Sequence, residues 1–188
     1  CETALAEAEI EYQEKKSHSI YVKFPLVDAH GKMPADLPNL PVYAVIWTTT
    51  PWTMPANVAM SAHPDFTYVW VLAGAEIYLV AEELLPGVAE VAKGEGWQIL
   101  ARQKGEELEG IEFQHPFLER MSPIILGDHV TLEAGAGLVH TAPGHGQEYF
   151  EIGQKYGLPV INPVDHAGKF TAEGGVFEGR YVEDANVP

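Results

Sequence analysis

The chain has 188 residues, 46% hydrophobic and 20% charged, a composition that suits one folded globular domain and excludes a disordered segment. No apolar run approaches the roughly 20 residues that cross a bilayer, and no basic stretch leads into an apolar one as in a secretory signal. The formal net charge of −16 excludes a free-standing duplex binder, because a protein that grips many phosphates is basic. It leaves open a short single-stranded end whose affinity comes mostly from elsewhere, and it equally suits an ordinary soluble cytoplasmic protein.

The chain opens at Cys1 rather than Met, with a helix-like run at residues 3–9, and reads as a piece of a longer protein. Cys1 is the single cysteine, so neither an internal disulfide nor a thiolate zinc cluster can form, which fits a reducing compartment. Residues 20–24 alternate and end at Pro25, the pattern of a strand. Residues 28–41 hold Gly31, Pro34, Pro38 and Pro41 and predict a loop. Residues 42–47 form an apolar, β-branched and aromatic run that predicts a buried strand. A stiff loop with two prolines and four threonines comes next, at 48–56.

Further strands are expected at 68–73, 77–80, 98–101, 111–113, 124–126, 130–132 and 137–140, with turn residues between them. That density predicts a mixed α/β, mainly β fold, barrel-like or closed rather than built of βαβ units. Two helices are expected, at 82–93 with Pro86 near its start and at 147–156 with Gly157 as its stop. The Gly-rich tail from Phe170 predicts irregular chain.

Two segments concentrate unusual polar residues beside apolar strands. In Trp47-Thr48-Thr49-Thr50-Pro51-Trp52-Thr53, with Asn57 four residues further on, hydroxyls and amides crowd the end of a strand, and the prolines stiffen the loop. Hydroxyls can orient a water, amides can receive a developing oxyanion, and indoles can stack on a base. Threonine also favours strands and tryptophan fills cores, so this segment alone divides evenly between a strand end and a site. In His140-Thr141-Ala142-Pro143-Gly144-His145-Gly146-Gln147-Glu148 a strand gives way to a turn and then to a helix whose first amides can meet an anion.

His140, His145 and Glu148 are metal-ligand types. However, the two histidines lie one residue too far apart for a helical H-x-x-x-H pair, and Pro143, Gly144 and Gly146 break any helix between them, so no metal is expected. His18, His30, His63, His115, His129 and His166 lie near turns and are read as surface or structural. No cofactor-binding or nucleophile-elbow spacing occurs.

Together the two segments resemble the editing domain inserted into isoleucyl-tRNA synthetases. The threonine run resembles the family's first editing motif, where valyl and leucyl relatives carry T-T-R-P-E/D-T. Residues 140–146 resemble the second, Asn57 comes after the first at the family's spacing, and Asn162-Pro163-Val164 and residues 170–179 resemble the stretch beyond the second. The similarity covers nearly the whole chain. The ATP-site signatures H-I-G-H and K-M-S-K-S are absent, so no ligase activity is expected.

The resemblance implies a single editing domain over 1–188, with connections toward the parent enzyme at 1–19 and 171–188. It implies a β-barrel-like fold with flanking helices, a monomer in isolation, no cofactor and no membrane. Its implied partners are the 3′ end of isoleucine tRNA carrying valine and the remainder of the synthetase, in the cytoplasm. The implied activity is hydrolysis of that ester by a positioned water. Isoleucyl-tRNA synthetases are themselves the standard case of a pocket that cannot strongly reject a side chain one methylene smaller, so that a second site must remove the error.

By resemblance, Thr48, Thr49 and Thr50 contact the terminal adenosine and the ester, with Thr50 placing the water. Trp47, Trp52, Thr53, Asn57 and His145 serve substrate binding, and His140 lines the pocket and excludes isoleucine. The family's aspartate for the substrate α-ammonium falls nine residues after His140, where this chain has Tyr149. Glu148 reaching in, Tyr149 acting through its hydroxyl or ring, and a weakened or non-catalytic tRNA-end binding module stand as three alternatives.

Overall fold

The computed structural model describes residues 19–186. The run at 3–9, His18 and nearly all of the expected connection at 1–19 lie outside the described residues. Among these residues are nine strands: β1 (Ile20–Asp28), β2 (Val42–Thr48), β3 (Ala59–Ala62), β4 (Thr67–Ala73), β5 (Glu76–Ala81), β6 (Gln98–Lys104), β7 (Glu112–Gln114), β8 (Met121–Leu126) and β9 (Leu138–Thr141). Three α-helices accompany them: α1 (Leu85–Val91), α2 (Gly105–Leu108) and α3 (Gln147–Tyr156).

The strands form one sheet in the order β6-β4-β5-β2-β1-β7-β8-β3-β9. The β2–β5 and β3–β8 pairs are parallel and the others antiparallel. β1 causes the sheet to bend. Its first residues pair with β2 and its last with β7, and the register shifts between Leu26 and Asp28, a bulge that turns the strand from one neighbour to the next. The fold is mainly β, and its barrel-like character is that of a curled open sheet: β9, at one edge, comes back to pack against β2.

Side-chain and loop bonds hold this return, not a ladder. Ala81 N–H donates to the Ala136 carbonyl at 2.9 Å, and the Tyr68 hydroxyl donates to the Gly137 carbonyl at 2.7 Å. Tyr68 also accepts from the His63 amide at 3.0 Å, and burial pushes its phenol well above the usual range. Tyr68→Phe is expected to cost about 1–3 kcal/mol, because two polar backbone groups lose a partner in the interior; urea unfolding measures it.

β4 is buried on both faces, which explains its unbroken apolar run. Tyr68 and Trp70 enter the main core with Phe24, Ile46, Met60 and Phe113, while Val69 and Val71 enter a smaller cluster with Val45, Val80 and, on α1, Val88.

Four local expectations change. The run at 130–132 is not a strand: Val130 is buried and Thr131 exposed, so the alternation is real, but the segment crosses between β8 and β9 without pairing to a strand, and the Val130 amide instead closes a turn onto the Gly127 carbonyl. β3 is a strand the sequence does not announce, since all four of its residues are buried and no alternation marks it. The helix expected at 82–93 divides into a 3-10 turn, Glu82–Leu84, and α1, where Pro86 starts the new helix without needing its missing N–H. β1 runs through Pro25, which pairs with Tyr43, rather than ending there. In the tail, a 3-10 turn at Ala172–Phe177 packs against another at Pro51–Ala56.

Candidate active site

β2 ends at Thr48, and the chain turns through Thr49 and Thr50 into the 3-10 turn Pro51–Ala56, two residues before β3. β3 pairs with β9, Met60 opposite His140, so the threonine turn and the end of β9 lie side by side although 87 residues separate Thr53 from His140. Beyond β9, the residues from Ala142 to Gly146 lead into α3, whose N-terminus has no side-chain cap. Between these elements lies a cleft of about 840 Å³.

The cleft is lined by Trp47, Thr48, Thr49, Thr50, Trp52, Thr53, His140, His145, Glu148 and Tyr149, so both editing-like motifs meet in it. Asn57 does not line it; it is fully buried, and its contact with the cleft runs through His140. His129 does line it, although its position after a turn reads as surface in the sequence, and so do Thr131 and Glu133. No local signal marks these three, because they enter from the irregular crossing between β8 and β9.

The threonines differ in role. The Thr48 hydroxyl is buried and accepts from the Thr50 amide at 3.0 Å, which closes the turn and leaves that amide engaged. Thr49 is exposed and Thr50 half-buried at the mouth. Thr53 is buried, its hydroxyl 2.8 Å from the Thr50 carbonyl and 2.9 Å from His140 Nε2. The amide of Asn57 lies 3.4 Å from His140 Nδ1 and donates to the Ala59 carbonyl at 2.9 Å, while Ser122 donates to Asn57 Oδ1 at 2.7 Å.

The 3-10 turn is also held from behind. Arg120 Nη1 donates to the Pro55 and Asn57 carbonyls at 2.8 and 2.9 Å, and His115 Nε2 donates to the Met54 carbonyl at 2.9 Å. His115 Nδ1 accepts from the amides of Phe117 and Leu118.

Burial drives the imidazoles neutral. His140, 5% exposed, falls to about 4, lowered first by desolvation and then by His145 and His115; His115 also falls to about 4 by desolvation. Desolvation lowers His129 and His145 as well, against the carboxylates of Glu148 and Asp128 in the case of His129. Tyr149 packs between two of these rings, 5.7 Å from His129 and 6.4 Å from His140, and desolvation raises its phenol. Trp52 meets His145 edge-on at 5.4 Å.

Glu133 and Glu148 are the only Asp, Glu, Lys or Arg side chains among the lining residues. Such a cleft suits a neutral or cationic group beside an aromatic base, and it offers no cation to a polyphosphate. Among the described residues no three His, Cys, Asp or Glu side chains are grouped as metal ligands, and no helix is long and apolar enough to cross a membrane.

The class is defined by the fold, which is that of solved editing domains of aminoacyl-tRNA synthetases. The solved editing domain of the P. knowlesi cytosolic leucyl-tRNA synthetase superposes with a TM-score of 0.62 at 16% identity, over 76% of this chain and 64% of that one, a likeness of fold. By sequence the chain is similar to part of the isoleucine–tRNA ligases. It is 58% identical over 186 residues to that of Carboxydothermus hydrogenoformans and 56% identical to that of Syntrophomonas wolfei, each match covering 99% of this chain. The chain spans about a fifth (20%) of the length of these curated relatives. No protein-family model matches it.

Proposed function

We propose that this chain is the editing hydrolase of an isoleucyl-tRNA synthetase, releasing valine from the 3′ end of mischarged isoleucine tRNA. The observation that carries the reading is the convergence of Thr48, Thr49 and Thr50 with His140 and His145 on one cleft. The tRNA end and the remainder of the synthetase are its partners, and the cytoplasm its compartment.

The terminal adenine lies against the indoles of Trp47 and Trp52, with the ester at Thr49 and Thr50. A water held there attacks the carbonyl. An aminoacyl ester is labile, so positioning and stabilisation of the oxyanion carry the rate. His140, buried and fixed, walls the side-chain pocket and meets the extra methylene of isoleucine.

The test is deacylation of Val-tRNA(Ile) and Ile-tRNA(Ile). Thr50→Ala is expected to slow valine release by about tenfold or more, as loss of a water-positioning hydrogen bond. His140→Ala is expected to admit isoleucine. If both variants keep the wild-type rate and preference, the assignment is wrong.

Tyr149 supports a second reading, a tRNA-end binding module without hydrolysis, since it packs against His129 and His140 where the resemblance places the carboxylate for the α-ammonium. Binding of a non-hydrolysable valyl-adenosine analogue without ester cleavage would favour that reading.

A further inference from the structure

We propose that Ser122, which does not line the cleft, is a positioning residue: through Asn57 it fixes His140 as the Nε2–H tautomer. The chain of bonds has one direction. The Thr50 carbonyl can only accept, so the Thr53 hydroxyl, 2.8 Å away, uses its single proton on it. Thr53 must then accept from His140 Nε2 at 2.9 Å, which puts the imidazole proton on Nε2 and the lone pair on Nδ1.

The other side of the ring agrees. The Ala59 carbonyl and the Ser122 hydroxyl orient the Asn57 amide, Nδ2 to the carbonyl at 2.9 Å and Oδ1 to the hydroxyl at 2.7 Å. The remaining Nδ2 proton faces His140 Nδ1 at 3.4 Å, a donor meeting an acceptor. A proton on Nδ1 would set two donors against each other. Ser122, Asn57, Thr53 and His140 are all buried, so water does not compete for these bonds.

The consequence is chemical. With Nε2–H donating to Thr53, His140 has no lone pair for a threonine hydroxyl or for an attacking water. It therefore acts as a fixed wall that holds Thr53, and through it the Thr50 carbonyl, in place. The effect on hydrolysis rests on the deacylase reading above; the tautomer does not.

The experiment uses the full chain with ¹⁵N-labelled histidine and long-range ¹H–¹⁵N spectra. Wild-type His140 is expected to show a protonated Nε2 and a bare Nδ1, and a protonated Nδ1 overturns the proposal without any variant. In Ser122→Ala the amide loses the donor on its Oδ1 and can turn that oxygen toward Nδ1. The Thr53 hydroxyl can then turn its proton to Nε2, because the Thr50 carbonyl keeps the Thr53 amide at 3.1 Å, so His140 is expected to show a mixture of tautomers. Turnover of Val-tRNA(Ile) is expected to fall about three- to tenfold, carried by kcat rather than KM. A Ser122→Ala spectrum identical to wild type refutes the role of Ser122. Should that variant fail to fold, Ser122→Cys keeps a weak donor and is expected to shift the tautomer ratio in the same direction; an unshifted ratio refutes it likewise. If the tautomer responds but wild type hydrolyses nothing, the deacylase reading fails and the positioning role stands.

Discussion

Gly137→Ala is expected to destabilise this fold strongly. Gly137 holds φ +78, in the left-handed region that L side chains avoid, and an added Cβ would lie 2.2 Å from the Cβ of Ala81. Neither methyl can rotate away. The backbones cannot part either, because Ala81 N–H donates to Ala136 and Tyr68 to Gly137 across the same seam. The strained φ costs about 1–2 kcal/mol and the overlap about 1–3, together a sizeable share of an ordinary domain's stability. Thermal unfolding is expected to move down by roughly 5–15 °C. The double variant Gly137→Ala/Ala81→Gly removes the overlap and should recover that part alone. Equal midpoints for the single and double variants would show that the two residues do not meet. The same seam shapes the cleft, since residues 133–140 form one of its walls.

Acid is expected to weaken the fold before the carboxylates titrate. His115 and His140 each fall from 6.5 to about 4 on folding, mainly by desolvation. Between those values the unfolded chain binds protons that the folded chain refuses. Stability is therefore unaffected by these groups above about pH 6.5, falls as the pH drops through that window, and levels off below about 4. Each imidazole contributes up to roughly 3 kcal/mol of this loss. Their fixed partners give the same sign, for both rings donate from Nε2 and present Nδ1 to donors. Urea midpoints measured between about pH 7.5 and 5 lie above most carboxylate titration; they should hold level down to about pH 6.5 and decline below it. A flat series would show that the two rings are not buried in neutral form.

Much of the strand content is legible locally because burial on one or both faces leaves a pattern: β2 and β4 read as apolar runs, and α3 ends at Gly157 in the left-handed conformation expected of a helix stop. β3 is not legible, because Ala59, Met60, Ser61 and Ala62 are all buried and carry neither alternation nor strong β-propensity. Yet β3 is the strand that sets the threonine turn beside β9. The run at 130–132 misleads for the opposite reason: Val130 meets the interior without a ladder, and alternation reports burial rather than pairing.

By itself the sequence determined the residue chemistry of the cleft, and the resemblance of its two motifs pointed to their sharing one site. Only the tertiary structure decided what each group can do there. It set Asn57 behind His140 rather than in the cleft, brought His129 and Glu133 into the lining, and tied Ser122 to His140 through a partner 65 residues away in the chain. The physical reason is that a proton's place on an imidazole depends on which donors and acceptors face its two nitrogens. Those neighbours come from β3, β8 and the turn after β2, segments whose meeting no local pattern encodes.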